Sequence, residues 1–128
     1  MAKYLSTEWF DLRTKLAADA PERPGVDLRI QNVVTNGPDG DVSYYDVIQN
    51  GRLVESAQGE DGQAEITMTT AYADSCALLT GELAATSAFV TGKVKVTGNT
   101  MKMMSMMPVA NSPEYKEMQD KLAAETEF

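Results

Sequence analysis

The side chains that carry most small-enzyme chemistry are scarce in this chain. It has no histidine and a single cysteine, Cys76. Without histidine there is no commonest general base, no commonest metal ligand, and no Ser-His or Cys-His nucleophile pair. One thiol and carboxylates make a poor zinc site, so no metal is expected. One arrangement remains. Tyr44, Tyr45 and Asp46 set phenols beside a carboxylate, which in an apolar cavity is the equipment of a proton-transferring isomerase. Tyr45 and Asp46 face opposite sides of a regular strand, which argues against their co-operation. No catalytic residue is therefore expected, and the chain reads as a non-enzyme. Cys76 sits on the apolar stripe of its helix and reads as a buried, inert thiol. Lys93 and Lys95 read as the exposed face of a strand, or else as contacts for a carboxylate or phosphate headgroup. Gly92 and Gly98 permit turns, and the isolated glycines form no phosphate loop, so no cofactor is expected.

The second feature is apolar. Met101, Met103, Met104, Met106 and Met107 fall within one seven-residue run. Methionine is unbranched and polarizable, so it reshapes around varied apolar neighbours. Stripes of this kind usually pack into a core. Adjacent residues of a helix point about 100° apart, however, so Met103, Met104, Met106 and Met107 cover more than one face. A helix apolar nearly all round needs a ligand, another helix or a second copy of the chain on its other face.

The elements that position these groups follow from periodicity. Leu5, Trp9, Leu12 and Leu16 recur at helical spacing, with Phe10 widening the stripe and Ser6 or Thr7 as cap. Pro21 and Pro24-Gly25 end that helix. Val26 to Gln31 alternates as a half-buried strand, and Asn36 to Gly40 is a turn. Val42 to Gln49 and Arg52 to Gln58 are strands about the Asn50-Gly51 hairpin signal. Gln63 to Thr69 alternates again. Sequential strands with short turns predict antiparallel pairing. Ala71 to Thr80 reads as a helix closed by Gly81, and a short helix covers about Ala84 to Val90. Lys93 to Thr97 is a strand with Val94 and Val96 inward. The methionine helix follows and ends at Pro108, and Ser112-Pro113 opens a last helix. The order predicts one α+β domain over residues 1–128: a sheet with a single layer of helices.

Composition bounds the rest. With 43% hydrophobic and 23% charged residues, 128 residues can fold without a disulfide or metal. Nineteen acidic against eleven basic residues give a net charge of −8. An acidic surface repels phosphate backbones, so no nucleic-acid partner is expected. No run is long enough to span a bilayer, so no stable membrane insertion is expected. The first residues turn polar without a signal-peptide core, and the last three are not a peroxisomal tripeptide. With one cysteine, these point to a cytoplasmic protein.

Residues 66–107 resemble a known family. Ile66-Thr-Met-Thr69 is followed by a helix ending Leu78-Leu79-Thr80-Gly81. Then come Ser87-Ala-Phe-Val-Thr-Gly-Lys-Val-Lys-Val-Thr-Gly-Asn99 and an apolar helix. This is similar to the sterol carrier protein 2 family, matching at Ala88, Phe89, Gly92, Lys93, Lys95, Gly98 and Asn99. Val94 and Val96 stand where Leu and Ile are usual, and Ala84-Ala85 where the family commonly has proline. The resemblance implies a five-stranded, mostly antiparallel sheet covered on one face by helices, with an apolar tunnel between the layers. It implies non-catalytic binding or transfer of a fatty acid, fatty acyl-CoA, sterol or related lipid. The expected tunnel wall is Leu78, Leu79, Phe89, Val94, Val96, Met103, Met104 and Met107, with Trp9 or Phe10 closing the helical side. The alternative is an accessory module that presents an apolar substrate to a separate enzyme of lipid or steroid metabolism, or docks on it. An enzyme partner and a homodimer both stay open.

Overall fold

A computed structural model describes residues 2–18, 22–38, 40–110 and 112–128; the side chains at positions 85, 86, 106, 107, 109 and 110 fall outside that description. The chain opens with a two-residue strand, β1 (Ala2–Lys3), and helix α1 (Thr7–Ala17). The Ser6 hydroxyl accepts the Trp9 N–H at 3.2 Å, satisfying one of the orphan donors of the helix start. The expected stripe faces inward: Trp9, Phe10 and Ala17 are buried, and Leu12 and Leu16 pack beside them. The chain closes with strand β7 (Thr126–Glu127), which pairs in parallel with β1. Trp9 Nε1 donates to Thr126 Oγ1 at 3.1 Å, so α1 is tied to both ends of the chain. Strands of two residues leave no periodicity to read, which is why the sequence did not announce them.

The main sheet contains β2 (Leu28–Gly37), β3 (Gly40–Gln49), β4 (Arg52–Gln58), β5 (Ile66–Ala71) and β6 (Val94–Gly98), in the order β4-β3-β2-β5-β6. Every pairing is antiparallel except β2 with β5, which is parallel. Antiparallel succession therefore breaks once, between β4 and β5. Residues 59–65 carry the chain past β3 and β2 to the far side of β2. Gln31 holds that crossing: its side-chain amide donates to the Tyr44 and Gly59 carbonyls and accepts the Asp61 N–H at 2.8 Å. The Arg29–Asp61 ion pair at 3.0 Å adds a second tie. The β3–β4 turn is as expected, with Asn50 and Gly51 both at positive φ. β2 runs six residues past the expected Gln31, because Asn32 looks like a break in the apolar alternation and is instead a buried partner of the next strand.

Helix α2 (Tyr72–Thr80) closes at Gly81 in the left-handed region, as expected. Helix α3 (Ala85–Val90) precedes β6. Helix α4 (Thr100–Ala110) does not stop at Pro108 but runs two residues further. A proline this close to the end removes one intrahelical bond, and its fixed φ suits the helical turn it stands in. Helix α5 (Pro113–Ala124) starts at Ser112, whose hydroxyl accepts the Tyr115 N–H at 3.2 Å. The core forms two clusters. One gathers Tyr4, Leu5, Trp9, Phe10, Val34, Leu79 and Leu122. The other gathers Leu28, Ile30, Ile48 and Ile66, with Met68 and Met103 packed against them.

Candidate functional site

A cavity of about 640 Å³ draws its lining from both core clusters. Its floor is set by the period of two of a strand. On β2, Ile30, Asn32 and Val34 look into it; on β3, Tyr44, Asp46 and Ile48 do. Helix α1 supplies Trp9, Arg13 and Ala17, at the spacing of one helical face, and α2 supplies Ser75, Leu78 and Leu79. Met103 comes from α4, and Tyr115, Met118 and Leu122 come from α5.

The cavity is not wholly apolar. Arg13 Nη1 donates to Asp46 Oδ1 at 2.8 Å and to Ser56 Oγ at 3.0 Å, and Nη2 donates to Asp46 Oδ2 at 3.3 Å. Ser56 Oγ donates to Asp46 Oδ1 at 2.7 Å, and Asn32 Nδ2 to Asp46 Oδ2 at 3.2 Å. The Asp46 carboxylate thus accepts four hydrogen bonds, the full capacity of its two oxygens. The guanidinium carbon lies 5.2 Å from the Trp9 ring centroid and 5.9 Å from that of Tyr44, within cation–π range of both. Burial alone would lower the Arg13 pKa, yet it moves up, because Asp46 and Tyr44 favour the cation. Burial raises the Tyr44 and Tyr115 pKa values, against the pull of Arg13. Both phenols therefore stay protonated at neutral pH. Tyr115 OH accepts from Gln119 Nε2 at 3.0 Å, which leaves its own proton free to be donated.

Of the residues expected to form the wall, Trp9, Leu78, Leu79 and Met103 line this cavity. Phe10 and Val94 are buried elsewhere in the core, and Val96 packs against the Leu28–Ile66 cluster. Phe89 and Met104 do not line the cavity; they are exposed, at 52% and 70%. The Met107 side chain lies outside the described residues. Tyr45 does not join Asp46 at the cavity, as the strand alternation predicted; Tyr44 does. Cys76 is half-buried, and burial raises its pKa, in keeping with an unreactive thiol. Arg13, Asn32, Ser56 and Tyr115 were missed. A signal for the first existed: Arg13 stands four residues after Trp9, a charge on the apolar stripe of α1. Asp46 likewise interrupts the inward set of β3. Two opposite charges on two faces that must pack together imply a pair.

The family model for SCP-2 sterol transfer matches residues 12–111. The chain belongs to this family. Three solved structures share its fold. A conserved hypothetical protein of Thermus thermophilus, described as possibly a sterol carrier protein, is 15% identical, with a TM-score of 0.72 over 96% of this chain and 92% of that one. Palmitated sterol carrier protein 2 like 2 of Aedes aegypti is 18% identical, with a TM-score of 0.65 over 84% and 96%. The sec-alkylsulfatase Pisa1 of Pseudomonas sp. is 20% identical, with a TM-score of 0.52; the likeness covers 77% of this chain and 14% of the sulfatase. No curated protein sequence matches. At these identities the likenesses establish the α+β fold with its five-stranded sheet. Among the described residues, no helix is long and apolar enough to cross a membrane.

Proposed function

We propose that this chain is a non-catalytic, cytoplasmic single-domain carrier that binds and transfers a lipid or sterol-like molecule in the cavity between sheet and helices. The observation that carries the reading is the 640 Å³ cavity itself, in a chain of the sterol transfer family. That volume lies within the range of small-molecule pockets, about 300–1,000 Å³. Burying ten ligand methylenes there would gain on the order of 8 kcal/mol before the costs of association. Trp9, Ile30, Leu79 and Met103 supply the apolar wall. Methionine lets the wall adapt to ligands of different shape.

The test is extraction. Purified protein is denatured in organic solvent and the released molecules are identified by mass spectrometry. A stoichiometric lipid or sterol supports the carrier. Protein that releases nothing and leaves fluorescent fatty acids and sterols unbound sinks it. A second reading, an accessory module that presents an apolar substrate to an enzyme, is favoured by the occurrence of this fold as one part of a sec-alkylsulfatase. Cross-linking in the host separates the two: an enzyme captured by a chain that carries no lipid favours the module.

A further inference from the structure

We propose that the Arg13–Asp46 pair is a polar subsite that selects apolar ligands ending in a neutral acceptor oxygen, such as an ester or ketone carbonyl, over those ending in a carboxylate. The proposal rests on the carrier reading and adds the chemistry of the ligand's polar end.

Three observations carry it. First, the charged pair has donors to spare and no carboxylate lone pair to spare. Asp46 is saturated by Arg13, Ser56 and Asn32, so it has no lone pair left for a ligand hydroxyl to donate to. A guanidinium has five N–H groups. Arg13 uses two on Nη1 and one on Nη2, so Nε–H and the second Nη2 N–H have no protein acceptor among the described residues. Arg13 lines the cavity, and so does Tyr115, whose hydroxyl accepts from Gln119 and has its proton to give. Second, the cation is already matched. Asp46 cancels the charge of Arg13 at hydrogen-bond distance. A second carboxylate would lose its hydration and meet no net positive charge. Third, the charges of the described lining residues balance. Arg13, Arg23 and Lys116 stand against Asp46, Glu114 and Asp120, in a chain of net charge −8. Among the described residues, no unmatched cation in the lining attracts an anion over a neutral molecule.

The experiment compares palmitate, methyl palmitate and hexadecane at pH 8, read by the fluorescence of Trp9, which is the single tryptophan and lines the cavity, and by co-elution with the protein. Methyl palmitate should bind about tenfold tighter than hexadecane, the worth of one hydrogen bond, and at least as tightly as palmitate. Tyr115→Phe should reduce the preference of ester over alkane, and the double variant Arg13→Met with Asp46→Asn should abolish it. The readout is the ratio of ester to alkane affinity within each variant, so a general change in cavity binding cancels. Tyr115→Phe keeps the ring and the charge pair, so it reads the subsite even where the double variant folds poorly. Palmitate binding more tightly than its ester overturns the subsite, as does an ester preference that survives Tyr115→Phe and the double variant. Equal binding of ester and alkane overturns the subsite while leaving the carrier intact. If none of the three binds, the carrier reading falls and the subsite with it.

Discussion

Arg13 on α1 and Asp46 on β3 meet end-on, with Nη1–Oδ1 at 2.8 Å and Nη2–Oδ2 at 3.3 Å, so one bidentate pair fastens the helical layer to the sheet. Their side chains are 15% and 8% exposed. Removing one partner strands the other in low dielectric, which typically costs about 3–5 kcal/mol. Arg13→Met and Asp46→Leu should each approach that loss, measured by urea denaturation. The double variant should cost at least about 2 kcal/mol less than the sum of the singles. Singles that fall within about 1 kcal/mol of the wild type would mean that water screens the pair.

Much of this arrangement was legible in the sequence, and the reason is periodicity. The stripe of α1, the Asn50-Gly51 hairpin, the closing Gly81 and the Phe89–Asn99 motif are local patterns, and local patterns survive folding. What escaped depends on contacts distant along the chain. The β1–β7 pair joins residues more than a hundred positions apart. The parallel β2–β5 pairing depends on Gln31 gripping the 59–65 crossing. The expected wall included Phe89 and Met104, which lie outside the cavity lining, for a related reason. An apolar residue in sequence carries no mark of whether the surface it covers is core, cavity or solvent.

Gly98 should not tolerate a side chain. Its φ is 102°, and a Cβ there would run into the carbonyl of Glu65, the residue just before β5. That backbone cannot give way cheaply, because the same carbonyl accepts the Asn99 N–H at 2.9 Å and Ile66 is in register with Gly98. Gly98→Ala should destabilise by about 2–3 kcal/mol, since it combines strain with collision. Gly59→Ala is the comparison: its φ is also positive, but the space around it is open. Gly59→Ala should therefore bear strain alone and cost about 1 kcal/mol. Thermal melts that rank the two variants equally would show that the contact with Glu65 does not matter.

Stability should erode on the alkaline side. Burial raises the pKa of Tyr4 from 10.0 to about 12, against the pull of its hydrogen bond to Ser75. Burial raises Tyr44 and Tyr115 as well. A raised folded-state value favours the neutral phenol in the native protein. The contribution is fully present below the unfolded value and is lost as pH climbs through the folded one. For Tyr4 the window is about pH 10 to 12, with a slope of about 1.4 kcal/mol per pH unit for each phenol titrating there. Phenolate absorbance should show these three tyrosines ionising together with the loss of helical circular dichroism. Ionisation of all five tyrosines near pH 10 with the fold intact would contradict their burial.

The adjacent residues Met103 and Met104 should separate the cavity from the surface. Met103 lines the cavity and packs against the Leu28–Ile66 cluster, while Met104 is 70% exposed on the next face of α4. A carboxylate at 103 would enter apolar surroundings and displace the part of a ligand that touches them. Met103→Asp should weaken lipid binding by more than tenfold, and Met104→Asp should leave it within about twofold, since its charge sits in water. Met103→Trp tests the same wall by volume: it adds bulk without a charge, so lower affinity with an unchanged melt marks occupied space rather than a damaged fold. The measurement is titration with methyl palmitate, with circular dichroism melts run beside it. Equal losses from Met103→Asp and Met104→Asp would place the ligand on the outside of α4 and move the binding site off the cavity altogether.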